Sequence, residues 1–342
     1  MTQHCSPTFD RFARRLAGDL IEQYSLRGKT IVEIGCEKAD FLALMCEMGE
    51  ARGVGIDPSV DPSRVPRHLG DRIELHAEYF SPAHHQLPAD LVCCRHTLEH
   101  IARPLDFMRG IGQMVASNPQ AVVFIEVPDT TRVLTEKAFW DIYHEHCSYF
   151  TPVSLARLFE FSGLEVLELT RQYDDQYLCI AGKAKGNNHG HALEAFETVA
   201  GVHAAVNHFE TECPVSIDCW HSRMKSFAAQ DKHVAIWGAG SKAVAFLSTL
   251  SPCPFEPTLV DINPRKAETY LPGTDLKIHP PDYLNRTKPD VVVVMNRIYC
   301  NEIRLQLEKL NLAVEVISVD DDQASAPNTF PDDNCEAAKL FE

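Results

Sequence analysis

The sequence lacks the long apolar segments that cross membranes. A membrane-spanning helix needs about 20 consecutive apolar residues, and the longest apolar runs here, 121–127 and 291–295, have only the length of a strand. The first residues, MTQHCSPTFDRF, contain no apolar core of a secretory signal. We therefore expect a cytoplasmic protein without a membrane partner.

Basic residues are scarce relative to acidic ones. Lys and Arg together number 32 and Asp and Glu 48, which gives a net charge of −16. Such a surface repels the phosphate backbone of nucleic acids, so the composition predicts no nucleic-acid partner and leaves a small-molecule partner open. A helix N-terminus can still hold an anionic ligand locally. The composition leaves the oligomeric state open.

The twelve cysteines form no CxxC pair, the spacing that commonly marks a zinc or redox site. Cys36, Cys46, Cys93 and Cys179 fall in apolar segments with a strand-like or helical pattern. We predict that they are reduced thiols in a protein core, and we predict no bound metal.

What the 342 residues do contain is a repeated alternation of short apolar runs and amphipathic helical patterns. This alternation is typical of a doubly wound α/β sheet, and a chain of this length is expected to form two domains. The runs that we predict as strands are 30–34, 51–56, 73–76, 91–94, 121–126, 165–170 and 177–182. No helix separates the last two, so they should form an antiparallel hairpin at one edge.

A second α/β unit begins near His233, after a polar break at 185–190 and a helical pattern over 191–229. The predicted organisation is an N-terminal helix over 1–27, a sheet domain over 28–185, a helical connector over 186–230, a smaller Rossmann-like domain over 231–320 and an acidic tail over 321–342. The first domain should therefore be a Rossmann-like doubly wound sheet, and the second a reduced version of the same architecture.

A glycine turn and a distant acid form the first candidate ligand site. Gly35 follows the first predicted strand, and Asp57 follows the second strand 22 residues later. A glycine lets the backbone approach a ligand closely, and an acid at this position can accept hydrogen bonds from both hydroxyls of a ribose. The pair predicts binding of an adenosine-containing ligand.

These segments belong to a longer series: EIG at 33–35, GID at 55–57, DLV at 90–92 and TLEH at 97–100. The series resembles the class I S-adenosylmethionine (SAM)-dependent methyltransferases, which implies SAM as the cofactor. The positions that the resemblance assigns to cofactor binding are Glu33, Gly35, Cys36, Asp57, Pro58 and Arg95.

Two positions depart from the glycine pattern of that family, because Glu37 and Ala39 stand where it has glycines. Ala39 would cost little only with a negative φ. Glu37 would bring a carboxylate near that of the cofactor unless it turns away or pairs with Lys38. A glycine turn that only packs, or a non-binding fold, stays an alternative.

The densest chemistry lies in the segment AFWDIYHEHCSYFT at 138–151. Together with EVPD before it, CRHTLEHI at 94–101 and WGAGSKAVAFL at 237–247, this segment closely resembles the C-methyltransferases that act on nucleotide-linked deoxysugars. The resemblance covers about residues 28–320. It implies methylation of C3 in a 4-keto sugar after a base has removed the C3 proton.

The resemblance also implies a role for each candidate catalytic residue. His146 is the expected base, Glu145 orients it, and Tyr143 meets the keto oxygen or an adjacent hydroxyl oxygen. His96 would stabilise the enolate, a role that imidazoles can fill, whereas we expect His100 to be structural. A metal site, or a satisfied structural histidine cluster, is the alternative for this segment.

The deoxysugar enzymes usually begin with a cysteine-rich zinc module, whereas only Cys5 precedes the first predicted strand here. We therefore expect no zinc. Because that module forms part of the family's substrate site, a non-sugar substrate with an acidic carbon stays an alternative, as does a non-catalytic binding protein.

A second glycine turn, Gly238 to Ala243, directly follows the strand VAIW, and Asp261 comes 21 residues after Gly240. The pattern is that of a dinucleotide fingerprint. Because the unit shows few strands and the resemblance makes it a substrate-holding domain, we favour a nucleotide-diphosphate or other anion over NAD or simple packing. The residues that we assign to it are Ala239, Ser241, Lys242 and Arg265.

Overall fold

The computed structural model describes residues 5–185 and 198–321. Its first element is helix α1 (Pro7–Gln23), which begins where the Ser6 hydroxyl accepts hydrogen bonds from the backbone N–H groups of Thr8 and Phe9. Phe9 and Phe12 head an apolar face that is buried against the first sheet. The predicted N-terminal helix is therefore part of the core of the first domain.

The first sheet has seven strands in the order β3-β2-β1-β4-β5-β7-β6. Its strands are β1 (Thr30–Ile34), β2 (Arg52–Ile56), β3 (Ile73–His76), β4 (Leu91–Arg95), β5 (Val122–Pro128), β6 (Leu164–Gln172) and β7 (Tyr177–Ala184). Strands β1 to β5 run parallel, and β7 pairs antiparallel with both β5 and β6. This is the class I methyltransferase sheet, with the predicted hairpin at one edge.

Helices cover both faces of this sheet, as in other doubly wound folds. They are α1 and α2 (Asp40–Gly49) on one face and α3 (Pro104–Val115) and α5 (Pro152–Phe161) on the other, whereas α4 (Thr130–Thr135) packs against the long helix of the connector. Cys36, Cys46, Cys93 and Cys179 are buried, as their apolar surroundings in the sequence predict. The loops at the carboxyl ends of the parallel strands, where ligands bind in such folds, carry the candidate residues.

The second sheet contains five parallel strands in the order β10-β9-β8-β11-β12. Its strands are β8 (Val234–Trp237), β9 (Thr258–Val260), β10 (Ile278–His279), β11 (Val291–Val294) and β12 (Glu315–Ser318), and its helices are α7 (Ser241–Thr249), α8 (Leu284–Thr287) and α9 (Cys300–Lys309). The five strands are one fewer than the six of a full dinucleotide-binding sheet. Strand β10 was missed because it is only two residues long, too short for an alternating pattern.

The predicted connector contains one long helix, α6 (Val199–Ala229), which packs its second half into the second domain through Trp220 and Phe227. The remainder of the connector, 186–197, and the acidic tail, apart from residue 321, lie outside the described residues. None of the helices in the described ranges is long and apolar enough to span a bilayer.

The two domains meet through polar side chains at the turn between β6 and β7. Gln176 and Asn296 exchange two hydrogen bonds between their amides, of 3.1 and 2.8 Å, and both residues are buried. Beside them the Tyr173 hydroxyl donates to the Tyr299 hydroxyl at 2.6 Å. The edge hairpin of the first domain is therefore one surface that the second domain contacts. Val133, Phe139 and Trp140 form another, because they lie in the apolar core of the second domain.

Candidate active site

The first glycine turn is shaped by close packing against Thr97. Gly35 has φ +74°, and a Cβ at this position would lie 2.1 Å from the Thr97 hydroxyl oxygen. Only glycine fits such a position. Ala39 also has a positive φ, +57°. Alanine would have cost little at this position only with a negative φ, so that expectation is wrong. Glu37 does pair with Lys38, at 2.9 Å between Oε1 and Nζ.

Asp57 lies at the end of β2, beside the glycine turn. One of its carboxylate oxygens accepts a hydrogen bond from the backbone N–H of Glu37 at 3.0 Å, and the other accepts from the N–H and hydroxyl of Ser59. Pro58, which lies between Asp57 and Ser59 in the sequence, is exposed. Each carboxylate oxygen can accept more than one hydrogen bond, so the group is fixed in place and can still take a ribose hydroxyl.

Glu33 supplies the clearest sign of a missing partner. Its side chain is buried, and its Oε2 atom has no hydrogen-bond partner among the described residues. Burial raises the pKa of Glu33 to about 8. The residue lines a small cavity of about 30 Å³ together with Gly35, Cys36 and Arg95. At this pKa the side chain is a neutral acid at pH 7, and an ammonium group beside it would favour the carboxylate form.

These residues fit SAM in their chemistry. Its ammonium group matches the unpartnered carboxylate of Glu33, and its ribose matches Asp57 at the neighbouring strand end. The cavity of about 30 Å³ must widen to admit it. Glu37, Lys38 and Phe9 line the cavity, so movement of these side chains or of α1 would provide the space.

A buried charge cluster separates this small cavity from the rest of the site. The guanidinium of Arg95 makes a bidentate pair with Glu126, at 2.9 and 3.0 Å, and stacks on the Phe41 ring. His96 Nε2 lies 2.6 Å from the second oxygen of Glu126. Arg95 therefore binds Glu126 through Nε and Nη2, which leaves Nη1 for a contact with the cofactor.

The charges in this cluster shift one another's pKa values. Burial works against the charged forms, but Arg95 and His96 lower the pKa of Glu126 to about 2. Likewise burial works against the imidazolium of His96, but Glu126 raises its pKa to about 9. His96 is therefore a cation at neutral pH. Its Nδ1 atom lies 3.8 Å from Glu99, beyond a normal hydrogen bond.

A larger cavity of about 400 Å³ lies between the two domains. Its first-domain wall contains the histidine-rich segment, and its second-domain wall contains the second glycine turn. The lining residues that matter below are His96, Glu99, His100, Arg132, Asp141, Tyr143, Glu145, His146, Tyr177, Ser241, Lys242, Asp261 and Lys266. His96 lines both this cavity and the small one at Gly35.

His146 is half-buried among aromatic rings. Its ring centroid lies 4.7 Å from that of Tyr143 and 4.8 Å from that of His100, both edge-on. The ligating atoms of His146, His100 and Glu99 lie within 4.8 Å of one another. Burial lowers the pKa of His146, which favours the neutral imidazole.

The carboxylate beside His146 belongs to Glu99. Glu99 is buried, and its Oε2 atom has no hydrogen-bond partner in the described ranges. Its backbone carbonyl accepts hydrogen bonds from the N–H groups of Cys147 and Ser148, which fixes the segment next to His146. Glu145, in contrast, is exposed, and its backbone carbonyl contacts His100 Nδ1 at 3.1 Å.

Asp141 connects the histidine-rich segment to the second domain. Its Oδ1 atom accepts a hydrogen bond from the Tyr143 hydroxyl at 2.6 Å. Its Oδ2 atom lies 2.6 Å from Lys242 Nζ, and it also contacts the Arg132 guanidinium. The cation predicted to meet a phosphate, Lys242, is thus paired with a carboxylate of the first domain.

The second glycine turn repeats the arrangement of the first. Asp261 Oδ2 accepts a hydrogen bond from the backbone N–H of Ala239 at 2.9 Å, as Asp57 does from residue 37. Arg265 is exposed and does not line the cavity, so its predicted position is wrong. Its neighbour Lys266 turns inward, with Nζ 2.7 Å from the Ala239 carbonyl and 3.2 Å from Asp261.

Sequence reasoning missed several residues of this site: Glu99, Arg132, Asp141, Tyr177 and Lys266. All five lie in or near segments that the motifs cover. The spacing of residues within a motif does not indicate which of several polar side chains reaches the site. Charge balance offers a signal for Asp141, because an acid within an aromatic segment (FWDIY) needs a buried cation.

Two groups of three potential ligands lie close together among the described residues. His76, Glu78 and His84 form the first, and each of their facing atoms already has a partner within the group or nearby. The second group is Glu99, His100 and His146, in the interdomain cavity. We interpret this second group as an acid–base cluster.

Comparison with known proteins assigns both domains. Residues 9–169 match a family model described as a methyltransferase domain, and residues 183–314 match one described as a C-methyltransferase C-terminal domain. The chain is therefore similar to a methyltransferase domain in its first half and to a C-methyltransferase C-terminal domain in its second half.

Individual proteins match over shorter stretches. C-methyltransferase NovU of Streptomyces niveus is 32% identical over 164 residues, which are 46% of this chain and 38% of that protein. The ubiquinone biosynthesis O-methyltransferase of Aeromonas salmonicida (strain A449) is 30% identical over 161 residues, 42% of this chain and 66% of that protein. The chain thus spans less than two thirds of the length of these two curated relatives.

Among solved structures, 1,6-didemethyltoxoflavin-N1-methyltransferase of Burkholderia thailandensis matches with 17% identity and a TM-score of 0.40. That match covers 51% of this chain and 79% of the other.

Proposed function

We propose that this protein is a SAM-dependent C-methyltransferase that removes a proton from a carbon next to a ketone and methylates that carbon. The substrate that we propose is a nucleotide-linked 4-keto-deoxysugar, methylated at C3. The observation that carries the proposal is the position of His96. It lines both the small cavity at the first glycine turn and the interdomain cavity that contains the histidine cluster.

SAM, when bound, supplies a methyl group that a carbon nucleophile can attack. The residues that would hold it are those that fit it chemically, Glu33 at the ammonium group and Asp57 at the ribose. Gly35 keeps the turn in its observed shape, because any side chain there would collide with Thr97. The carbon acceptor then has to reach the region around His96 from the interdomain cavity.

His146 is the proposed base. A base must be unprotonated before it acts, and the lowered pKa of His146 keeps its imidazole neutral at pH 7. Tyr143 and His100 contact its ring edge-on and limit its rotation. The structure favours Glu99 over Glu145 as the carboxylate that supports the protonated ring, because Glu99 is buried and close whereas Glu145 is exposed.

His96 is the proposed electrostatic partner of the enolate oxygen. It is held as an imidazolium by Glu126, so it presents positive charge at the cavity wall. A fixed cation at the position where negative charge develops lowers the barrier to proton removal. The Nδ1 atom lies 3.8 Å from the carboxylate of Glu99, farther than a normal hydrogen bond, so its N–H can be offered to a ligand.

The second domain would hold the nucleotide part of the substrate. Ser241 begins helix α7 directly after the second glycine turn, where backbone N–H groups favour an anion. Ala239, the other residue proposed here from the sequence, already donates its backbone N–H to Asp261, so an anion would have to displace that carboxylate. Lys242 and Lys266 are the nearby cations that line the cavity. Both are paired with carboxylates, so an anionic ligand must compete with Asp141 and Asp261 for them.

The test is hydrogen exchange at C3 without methyl transfer. The protein is incubated in deuterated water with a nucleoside-diphosphate-linked 4-keto-6-deoxyhexose and no SAM, and deuterium at C3 is followed by NMR. We expect exchange that falls at least about 100-fold in His146→Ala, in line with loss of a general base. His144→Ala is the matched control, because His144 is exposed in the same segment.

The outcomes separate the alternatives. Exchange that His146→Ala leaves unchanged contradicts the assignment of the base. Exchange that is abolished by a chelator favours a metal at Glu99, His100 and His146. A protein that binds SAM but exchanges no proton in the sugar contradicts the sugar assignment and favours a non-sugar ketone. A protein that binds neither SAM nor the sugar is not a methyltransferase of this kind.

A further inference from the structure

The Tyr143 hydroxyl has one proton, and the structure shows where it goes. The hydroxyl donates to Asp141 Oδ1 at 2.6 Å. A phenol has a single O–H donor and can otherwise only accept. While this hydrogen bond persists, Tyr143 has no proton to offer to a ketone or enolate oxygen in the cavity.

Asp141 is held in the state that keeps the Tyr143 proton. Burial works against its charge, but Lys242 and Arg132 hold the pKa of its carboxyl well below the ordinary value. As a carboxylate, Asp141 can only accept hydrogen bonds. Burial and this carboxylate raise the pKa of Tyr143 well above its ordinary value, so the phenol stays protonated.

Tyr143 lines the interdomain cavity, and its ring lies edge-on against His146, the proposed base. A hydroxyl oxygen whose proton is donated elsewhere keeps its lone pairs for a second hydrogen bond. A hydroxyl group of a molecule in the cavity can supply the donor for that bond.

Building on the proposed function, we infer that Tyr143 recognises a hydroxyl group of the substrate as a hydrogen-bond acceptor, and that Asp141 is the positioning residue that fixes it in this role. The hydroxyl lies on the reacting carbon or on the carbon next to it, because Tyr143 is adjacent to the base. The ketone oxygen must then be met by another donor, such as His96. Of the two oxygens considered for Tyr143 from the sequence, this selects the hydroxyl.

Arg132 and Lys242 give the arrangement a second consequence. Lys242 belongs to the second glycine turn, and its Nζ contacts the same Asp141 carboxylate that holds Tyr143. The acceptor role of Tyr143 therefore depends on one contact from each domain. Recognition of the substrate hydroxyl thus requires both domains in their assembled arrangement.

The test uses matched ligands and the substitution Tyr143→Phe. Three nucleoside-diphosphate-linked 4-keto-6-deoxyhexoses are compared: one with hydroxyls at C2 and C3, one lacking the C2 hydroxyl and one lacking the C3 hydroxyl. Binding is measured by calorimetry, and C3 exchange is measured as above. For the fully hydroxylated ligand we expect Tyr143→Phe to lower affinity or exchange about tenfold, the size of one lost hydrogen bond.

For one of the two deoxy ligands, the effect of Tyr143→Phe should disappear, since that ligand has no donor to lose. Asp141→Ala removes the acceptor that holds the Tyr143 proton, so its effect should also depend on which hydroxyl the ligand carries. An Asp141 that only supports the structure would instead weaken all three ligands equally when it is replaced. If Asp141→Ala fails to fold, the comparison of native protein and Tyr143→Phe across the three ligands decides alone.

Three results would overturn the inference. An equal effect of Tyr143→Phe on all three ligands means that its oxygen meets no hydroxyl. An unchanged affinity and exchange rate for all three means that it meets no part of the ligand. Failure of the native protein to bind any of them overturns the proposed sugar substrate as well, whereas the first two results leave that proposal standing.

Discussion

The pairing of His96 with Glu126 predicts a specific pH dependence of stability. The pKa of His96 is raised to about 9 in the folded protein, against an ordinary value of 6.5. Below pH 6.5 the imidazole is charged in both the folded and unfolded states, and the contribution to stability is fully present. As the pH rises from 6.5 through 9, the unfolded chain loses this proton first and the contribution disappears.

The size of this contribution follows from the shift. One pKa unit corresponds to about 1.4 kcal/mol, so the pair contributes at most about 3 kcal/mol to the free energy of unfolding. The substitution His96→Asn removes the titrating ring. Asparagine suits the backbone because residue 96 has φ +48°, a left-handed conformation that asparagine tolerates better than most residues.

The assay is urea unfolding of the native protein and of His96→Asn at several pH values between 6 and 9.5. The stability advantage of the native protein should shrink by up to about 3 kcal/mol across this range. Buried thiols such as Cys93, whose pKa is raised by burial, also destabilise both proteins at high pH, and the difference between the two proteins removes that effect. A difference that stays constant with pH would refute the reasoning.

Three further predictions concern the cofactor turn and the base. Asp57→Ala should weaken SAM binding at least about tenfold by calorimetry, because two ribose hydroxyls lose their acceptor; equal affinity would contradict the cofactor assignment. Ala39→Gly should raise the free energy of unfolding by about 1 kcal/mol in urea titration, since a left-handed alanine is strained; a loss of stability would argue against strain. Glu99→Gln should slow C3 exchange at least about tenfold whereas Glu145→Gln changes it less than about twofold, and the reverse order would restore Glu145 as the orienting acid.

Most of the fold could be predicted because strands and helices alternate with clear apolar patterns. The first sheet differs from the expectation by at most two residues at any strand end, for example 122–128 for β5 instead of 121–126. Backbone pairing extends beyond the apolar run there, since residues up to Pro128 pair with β7. The two-residue strand β10 could not be found, because it depends on pairing with β9 and on no pattern of its own.

The candidate site was harder to predict because its contacts join distant segments. The motif pointed to the histidine-rich segment, and the structure brings His146, Tyr143 and His96 into one cavity. The motif could not show that Glu99 lies beside His146, because the two residues are 47 positions apart in the sequence. Nor could it show that Lys242 pairs with Asp141 of the other domain, a contact that depends on how the domains are mounted.

The amide pair of Gln176 and Asn296 ties the folding of one domain to that of the other. A domain produced alone would expose one of these amides to water without its partner and would leave the Tyr173 or Tyr299 hydroxyl unmatched. Each such contact is worth about 1 kcal/mol, and an apolar surface would be uncovered with it. The two domains should therefore unfold in a single cooperative transition, although each contains a complete sheet of its own.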